Sequence, residues 1–528
     1  MELENQRNRE SEASEIGAKA TNVASFMLVA KLLSVLFNGA AFIIVARILG
    51  PSVYGVYTLA IAVVGVFGAF GDFGISSALS KFLAEYAQKK KYARIESLVS
   101  NSIAIMLIGA GIFTALAILF SGLAAQYSFH NVSDSLIIQV AAFTIILGAL
   151  FGASYVGLIG LGNGKYVAIS VGAQSLVQAI FTIGLALLGF GAFAPIYGLI
   201  IGFTVGFAVV MFAIFRRSGL KIRLVRPKIK EMRGIMDFAL PLALYNLVTN
   251  IVNNFSYIVL GIFATTAVIG NFGIASKTGS ILEILTAAIT TTLLPTFSRA
   301  LANKNTSAKI SKFYNYSVSF SFVLIGPMVL LLAILSIQFS YTIFSGIYTL
   351  APLYISLMCI GILIGIPGGY ASTLLISANK VKTVFKYNLL ISAVQAILLL
   401  ALVPLFTGFG LALLIFIIVP AMVSIFFVAK AELIFKMKIE TRKIARIVIA
   451  NLISVAFVVP LMLIITNNFI LLLIAAMIEQ AVIYPIILAL SKGIVAKDVD
   501  LLKRITAKIP IGGKVLAIMA DYSSRFIR

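Results

Sequence analysis

From Asn22 to Ala84 the chain reads NVASFMLVAKLLSVLFNGAAFIIVARILGPSVYGVYTLAIAVVGVFGAFGDFGISSALSKFLA. Two apolar runs, each long enough for a membrane crossing of about 20 residues, flank the turn signal Arg47-Ile48-Leu49-Gly50-Pro51. Neither run alternates with period two in segments of about ten residues, so both read as helices rather than as strands of a barrel. The polar residues inside the pair are few: Lys31, Ser34, Asn38 and Asp72 stand out against the aliphatic background.

The pattern continues along the remaining chain. Of the 528 residues, 61% are hydrophobic and 11% charged, with a mean hydropathy of +1.09, which is the composition of an integral membrane protein. Breaking the apolar runs at Gly, Pro and charge clusters places about 14 transmembrane helices at residues 22–46, 53–84, 98–120, 135–160, 166–189, 194–215, 235–262, 266–297, 314–337, 347–378, 383–404, 409–431, 444–466 and 469–490. With this assignment all but three of the 41 Lys and Arg residues fall on one side of the membrane. The positive-inside rule then puts both termini in the cytoplasm of a multi-pass protein of the cell membrane. The net charge of +23 is explained by topology and by attraction to anionic membrane lipids, so nucleic acid is not an expected partner. The N-terminal tail, residues 1–21, holds five glutamates and no apolar core of the kind a cleavable signal needs, so the first crossing is expected to act as an uncleaved insertion signal.

The longest charged connection, residues 216–234, divides the chain after six crossings. Sliding the chain on itself by 215 residues aligns Gly55 with Gly270, Leu79 with Leu294, Phe82 with Phe297, Lys89 with Lys304 and Ile95 with Ile310, without a gap. An even number of crossings per repeat keeps both halves in the same orientation, which predicts lobes related by a pseudo-twofold axis along the membrane normal. The expected organisation is an N-lobe over 22–215, a C-lobe over 235–431, two further helices over 444–490 and a basic amphipathic cytoplasmic tail over 491–528.

A charge at bilayer depth costs about 2.5 to 3.5 kcal/mol even on insertion scales, so each one points to a cavity or a partner. Lys31 is followed by Ser34 and Asn38 at i+3 and i+7, one polar stripe on the first crossing, and Lys277 lies near the same depth in the eighth. Two cations at the midplane of opposite lobes suit an anionic substrate; the competing reading pairs Lys31 with Asp72, and Lys277 with another carboxylate, to satisfy burial alone. Asp72 and Glu283 are candidates to bind a coupling H+ or Na+, or to neutralise the lysines. Asn246, Asn250 and Asn253 recur along the seventh crossing with Tyr257 beyond, an amide-rich face that suits sugar hydroxyls and equally suits helix packing. Gln174 and Gln178 read as packing residues, and Glu479 chiefly as a helix contact. Gly365-Ile366-Pro367-Gly368-Gly369, with Pro327, Pro420 and Pro460, marks helices that can bend.

One cysteine, Cys359, and one histidine, His130, leave no material for a disulfide within the chain or for histidine-based catalysis. No P-loop, paired-carboxylate or metal motif is present, so neither an enzyme nor an ATP-driven pump is expected, and no cofactor.

The segment Ala46-Arg47-Ile48-Leu49-Gly50-Pro51-Ser52-Val53-Tyr54-Gly55-Val56-Tyr57, then Gly71-Asp72-Phe73-Gly74-Ile75 and Ala78-Leu79-Ser80-Lys81-Phe82, resembles the opening of polysaccharide-biosynthesis flippases of the multidrug/oligosaccharidyl-lipid/polysaccharide exporter superfamily. The resemblance implies an all-α, MATE-like pair of six-helix lobes plus two C-terminal helices. It also implies translocation of a polyprenyl-(pyro)phosphate-linked oligosaccharide from the inner to the outer leaflet by alternating access. In such proteins helices 1, 2, 7 and 8 line the cavity, and these carry Lys31, Asn38, Asp72, the asparagine face, Lys277 and Glu283. Arg47 matches the family's arginine at the outer end of helix 1, with a structural or outer-gate role. The chain has fewer intramembrane arginines than some relatives.

Two alternatives stand beside this reading: an ion-coupled exporter of drugs or organic cations within the superfamily, and a membrane scaffold that recruits glycosyltransferases through basic loops. A cation exporter is expected to present carboxylates at the cavity centre, where this chain has lysines. For topology, a membrane-impermeant thiol reagent should label cysteines introduced within residues 121–134 from outside and leave those within 216–234 unlabelled; the reverse pattern overturns the orientation.

Overall fold

A helix interrupted by Gly50-Pro51 requires a residue that tolerates a backbone forbidden to L side chains, and the computed structural model shows that requirement directly. It describes residues 2–71, 79, 82–83, 86, 92–131, 134–160, 163–217, 229–302, 307–466 and 468–493. The described residues are almost wholly helical, with no strand among them.

In chain order the helices are α1 (Glu2–Gly68), α2 (Tyr92–Leu119), α3 (Ser121–Ser128), α4 (Ser135–Gly160), α5 (Gly164–Leu187), α6 (Phe193–Arg217), α7 (Ile229–Phe263) and α8 (Thr266–Ala302). There follow α9 (Ser307–Ile334), α10 (Ser336–Phe344), α11 (Ala351–Ser377), α12 (Val381–Leu413), a π-helical turn over Leu414–Ile418, α13 (Val419–Phe435), α14 (Thr441–Ala456), α15 (Val458–Ile464) and α16 (Phe469–Leu490).

Eleven stretches are long and apolar enough to cross a membrane. Two of them are double. Ser25–Gly68 is broken at Gly50, and Val381–Phe435 contains the break at Thr407. With these divided, and with the shorter apolar segment Leu247–Phe263 counted, the fourteen crossings expected from the sequence are present. The outer surface is apolar, as a bilayer requires: Leu119, Leu433, Leu463 and Ile464 are each more than 70% exposed.

Gly50 has φ 70° and ψ 172°, a region in practice reserved for glycine, and Pro51 restarts the helix with a φ already suited to its first turn. The sequence pair thus ends one crossing and begins the next without a loop.

The chain forms two compact units, residues 1–270 and 271–528. In the first, Leu83, Ile95, Leu98, Met106, Leu158 and Val210 belong to one buried apolar core. The two glutamines read as packing residues lie at the α5–α6 interface: a Cβ added at Gly202 would meet Gln178, and one at Gly206 would meet Gln174. Gln174 Nε2 donates to Gln178 Oε1 at 2.6 Å. Small residues that admit a neighbouring helix this closely are the usual means of association in lipid, where hydrophobic burial adds little.

In the second unit the packing centres on α11. Asn271 Oδ1 accepts the N–H groups of Leu350 and Ala351 at 3.0 and 2.9 Å, satisfying donors at the start of that helix. Farther along it contains Pro367, which has no N–H to give the ladder, and the hydroxyl of Ser424 on α13 bonds the backbone of that turn: Gly368 N–H donates to Ser424 Oγ at 3.1 Å, and Ser424 Oγ donates to the Ile364 carbonyl. The Tyr314 hydroxyl on α9 donates to the Pro367 carbonyl at 2.9 Å. The glycine- and proline-rich segment is therefore a stretch of helix whose backbone is bonded by two neighbouring helices.

Gly50 has nothing within 4 Å of a built Cβ, so the strain of Gly50→Ala is purely that of the backbone. The substitution should lower stability by about 1 to 3 kcal/mol. Gly369, equally open but inside α11, should gain up to about 1 kcal/mol as Gly369→Ala. Thermal unfolding in detergent checks the opposite signs.

Candidate functional site

Polar side chains within apolar helices are either packed against other helices or left open, and the structure sorts them residue by residue. On the first crossing Lys31 is exposed, while Ser34 and Asn38 are half-buried on the stripe below it. Asn38 Nδ2 donates to Ser34 Oγ at 3.2 Å, and Asn38 Oδ1 is buried with no donor among the described residues. Arg47 is exposed at the end of this crossing, three residues before the Gly50 break.

On α7, Asn250 and Asn253 are both exposed and Tyr257 is half-buried. Of Asn246 only the helical backbone is described, and Asp72 lies outside the described residues. The neighbouring Asn254, off the predicted stripe, makes the close helix contact: a Cβ on Gly65 would strike its amide, and its Nδ2 donates to the Asn250 carbonyl at 2.8 Å. Packing and openness are thus divided between adjacent amides of one helix.

Lys277 and Glu283 are exposed on α8. Their six-residue separation misses the i+3 and i+4 spacings at which side chains meet on a helix, so they do not neutralise each other along it. Glu479 is half-buried on α16. It accepts a hydrogen bond from Gln480 Nε2 at 3.0 Å, and Gln480 Oε1 accepts one from Ser454 on α14 at 3.1 Å, a chain that ties the last two crossings together.

The second crossing also meets the beginning of α8. A Cβ on Gly55 would overlap the Thr266 carbonyl oxygen, and a Cβ on Gly270 would overlap that of Pro51. The two glycines are the residues aligned by the internal repeat, and each sits over the carbonyl four residues before its counterpart. This reciprocity is what a local twofold relation between equivalent segments produces.

The pattern of the polysaccharide biosynthesis protein family matches residues 21–301, more than half of the chain. The chain belongs to this family. Among solved structures, the lipid II flippase MurJ in an inward closed conformation is similar over 88% of this chain and 98% of its own, with a TM-score of 0.68 at 16% identity. An inward-facing multidrug-resistance MATE transporter of the MOP superfamily is similar over 78% of this chain and 98% of its own, with a TM-score of 0.62 at 16% identity. A MOP-superfamily transporter from Pyrococcus furiosus, described as having a binding pocket of reversed polarity, covers 79% of this chain and 95% of its own, with a TM-score of 0.53 at 15% identity. At these identities the likeness establishes the fold alone: this member of the polysaccharide biosynthesis family is an all-α, multi-pass membrane protein. No curated protein matches it in sequence.

Sequence reasoning placed the asparagine face on α7 and passed over Asn254 and Asn271. The Gly65–Asn254 contact joins residues far apart in the chain, so no spacing along α7 could have singled it out. For the glycine contact, Gly55→Ala should destabilise the protein by about 1 to 3 kcal/mol, the usual range for overpacking. Gly39→Ala, in open space on the first crossing, should not destabilise it. Equal melting of the two variants would remove the close approach as a structural requirement.

Proposed function

We propose that the chain is a flippase that carries a polyprenyl-(pyro)phosphate-linked oligosaccharide from the inner to the outer leaflet of the cell membrane by alternating access, with both termini cytoplasmic. The observation that carries this reading is the exposure of Lys31 and Lys277 within apolar crossings. A lysine facing hydrocarbon is strongly disfavoured, whereas one facing a water-filled path holds an anion in transit. Membership in the polysaccharide biosynthesis family supports a glycan-bearing cargo.

The cargo has two chemically distinct parts, and the polar residues divide accordingly. Lys31 and Lys277 are assigned to the (pyro)phosphate. Asn38, Asn246, Asn250 and Asn253 are assigned to sugar hydroxyls, for which amides offer both donors and acceptors. The orphaned Oδ1 of Asn38 is a ready acceptor for such a hydroxyl. Asp72 and Glu283 are the proposed coupling acids for H+ or Na+. Arg47 and the Gly55–Gly270 contact lie near the outer ends of their crossings in this topology, and outward opening would part that seam. An exporter of organic cations would draw on the exposed Glu283, but the two lysines work against it.

In proteoliposomes, Lys31→Ala and Lys277→Ala should each slow translocation of a polyprenyl-pyrophosphate-linked glycan by at least roughly 30-fold, the effect of removing a charged partner worth about 2 kcal/mol. Unaltered melting temperatures would separate this from misfolding. Glu283→Gln should remove any dependence of the rate on a proton or sodium gradient. Translocation unchanged in the Lys31→Ala/Lys277→Ala double variant would overturn the assignment.

A further inference from the structure

At one end of the second unit, segments distant in sequence enclose a cavity of about 700 Å3. The start of α9, the 436–440 connection, the start of α14 and the residue two beyond α16 all contribute to it. Six of its lining residues are basic, Lys312, Lys436, Lys438, Lys443, Arg446 and Lys492, against a single acid, Glu440. On the topology read from the sequence these belong to three separate connections of the cytoplasmic side, and the fold gathers them into one place.

The wall of the cavity is built rather than incidental. Lys438 and Glu440 are fixed by their backbones to α9: Asn315 Nδ2 donates to the Lys438 carbonyl at 2.8 Å, and Glu440 N–H donates to Asn315 Oδ1 at 3.0 Å. Ser311 Oγ also donates to the Lys438 carbonyl, at 2.6 Å, and accepts from Lys438 N–H at 3.2 Å. The Tyr316 ring holds Lys312 Nζ and Lys443 Nζ at 5.7 and 5.1 Å from its centroid. Two helices, α9 and α14, begin at this end, adding the partial positive charge of their unpaired N–H groups.

A concave surface lined by six cations and one acid, with two helix N-termini beside it, attracts an anion. The surface beside them says what the anion is attached to. Along α14, Arg446 is followed on the same face by Ile449, Leu452, Ile453 and Phe457, exposed by 45 to 54%. This strip is part of the apolar surface of a membrane-crossing helix and leads away from the basic cavity, so an anion that carries acyl chains gains contacts there that a soluble phosphate does not. We propose that this cavity binds the headgroup of an anionic phospholipid, with the acyl chains laid along the outer face of α14. The site lies within one unit, apart from the residues assigned to the transported glycan, and it stands or falls without them.

The test uses the purified full-length protein in neutral detergent, with bound lipid counted by native mass spectrometry. Phosphatidylglycerol should bind and phosphatidylcholine should not. Lys438→Gln/Lys443→Gln/Arg446→Gln should weaken phosphatidylglycerol binding by about fivefold per charge, roughly 100-fold in all. Lys380→Gln/Lys382→Gln/Lys386→Gln removes as many charges from another connection and should leave binding unchanged, and Arg446→Lys should retain it. Melting in phosphatidylcholine micelles verifies that each variant is folded.

Several results would overturn the proposal: unchanged binding in the first triple variant, equal loss in the second, or phosphatidylcholine binding as tightly as phosphatidylglycerol. Displacement by inorganic pyrophosphate at matched concentration would make the site one for a soluble anion. Displacement by a polyprenyl pyrophosphate at far lower concentration would reassign the cavity to the transported class.

Discussion

Hydrocarbon offers no hydrogen bonds, so a backbone N–H or C=O that leaves the helical ladder inside the membrane must find its partner in the protein. Much of this structure follows from that constraint. At Pro367 in α11, the Ser424 hydroxyl from α13 serves the backbone on both sides of the proline, accepting from Gly368 and donating to Ile364. Where α11 begins, the Asn271 side chain accepts two N–H groups. Where the first crossing turns into the second, Gly50 takes a conformation open to glycine and Pro51, lacking an N–H, removes one of the donors a helix start leaves unpaired.

Repairs of this kind need helices that approach closely, and small residues permit it. Gly55 and Gly270 bring the second crossing against the start of α8 at a distance no side chain would allow. Gly65 receives the Asn254 amide. The same requirement separates the polar residues into two groups. Asn254, Gln174, Gln480 and Ser424 lie in helix interfaces and hold them, while Lys31, Lys277, Glu283, Asn250 and Asn253 stay open. Charge that is kept open inside apolar crossings is the physical basis for reading a transport path.

The fold was largely legible in the chain because its signals are local. Apolar runs of crossing length, the Gly50-Pro51 break and the step near Thr407 each depend only on neighbouring residues, and the structure has helices and breaks at those places. The polar residues proposed for the site were legible by type, because lysines and amides inside apolar runs stand out from their neighbours. Which of two adjacent asparagines packs and which stays open was not legible, because Asn253 and Asn254 have the same chemistry and differ only in what lies across from them. The basic cavity was hidden for a related reason. Lys312, the 436–446 segment and Lys492 are spread over some 180 residues, and each alone reads as an ordinary orienting charge.

By itself, then, the sequence determined that this is a helical membrane protein of about fourteen crossings, that its basic residues concentrate in particular connections between them, and that a few charges fall inside its apolar runs. These depend on composition, period and the cost of moving charge through lipid, all properties of short segments. Only the tertiary structure decided that Ser424 completes the backbone of a helix some 60 residues away, that Gly55 faces its own repeat mate, and that scattered orienting charges of the second unit converge on one cavity. Those facts are contacts between segments far apart in the chain, and nothing in the local pattern of either partner specifies the other.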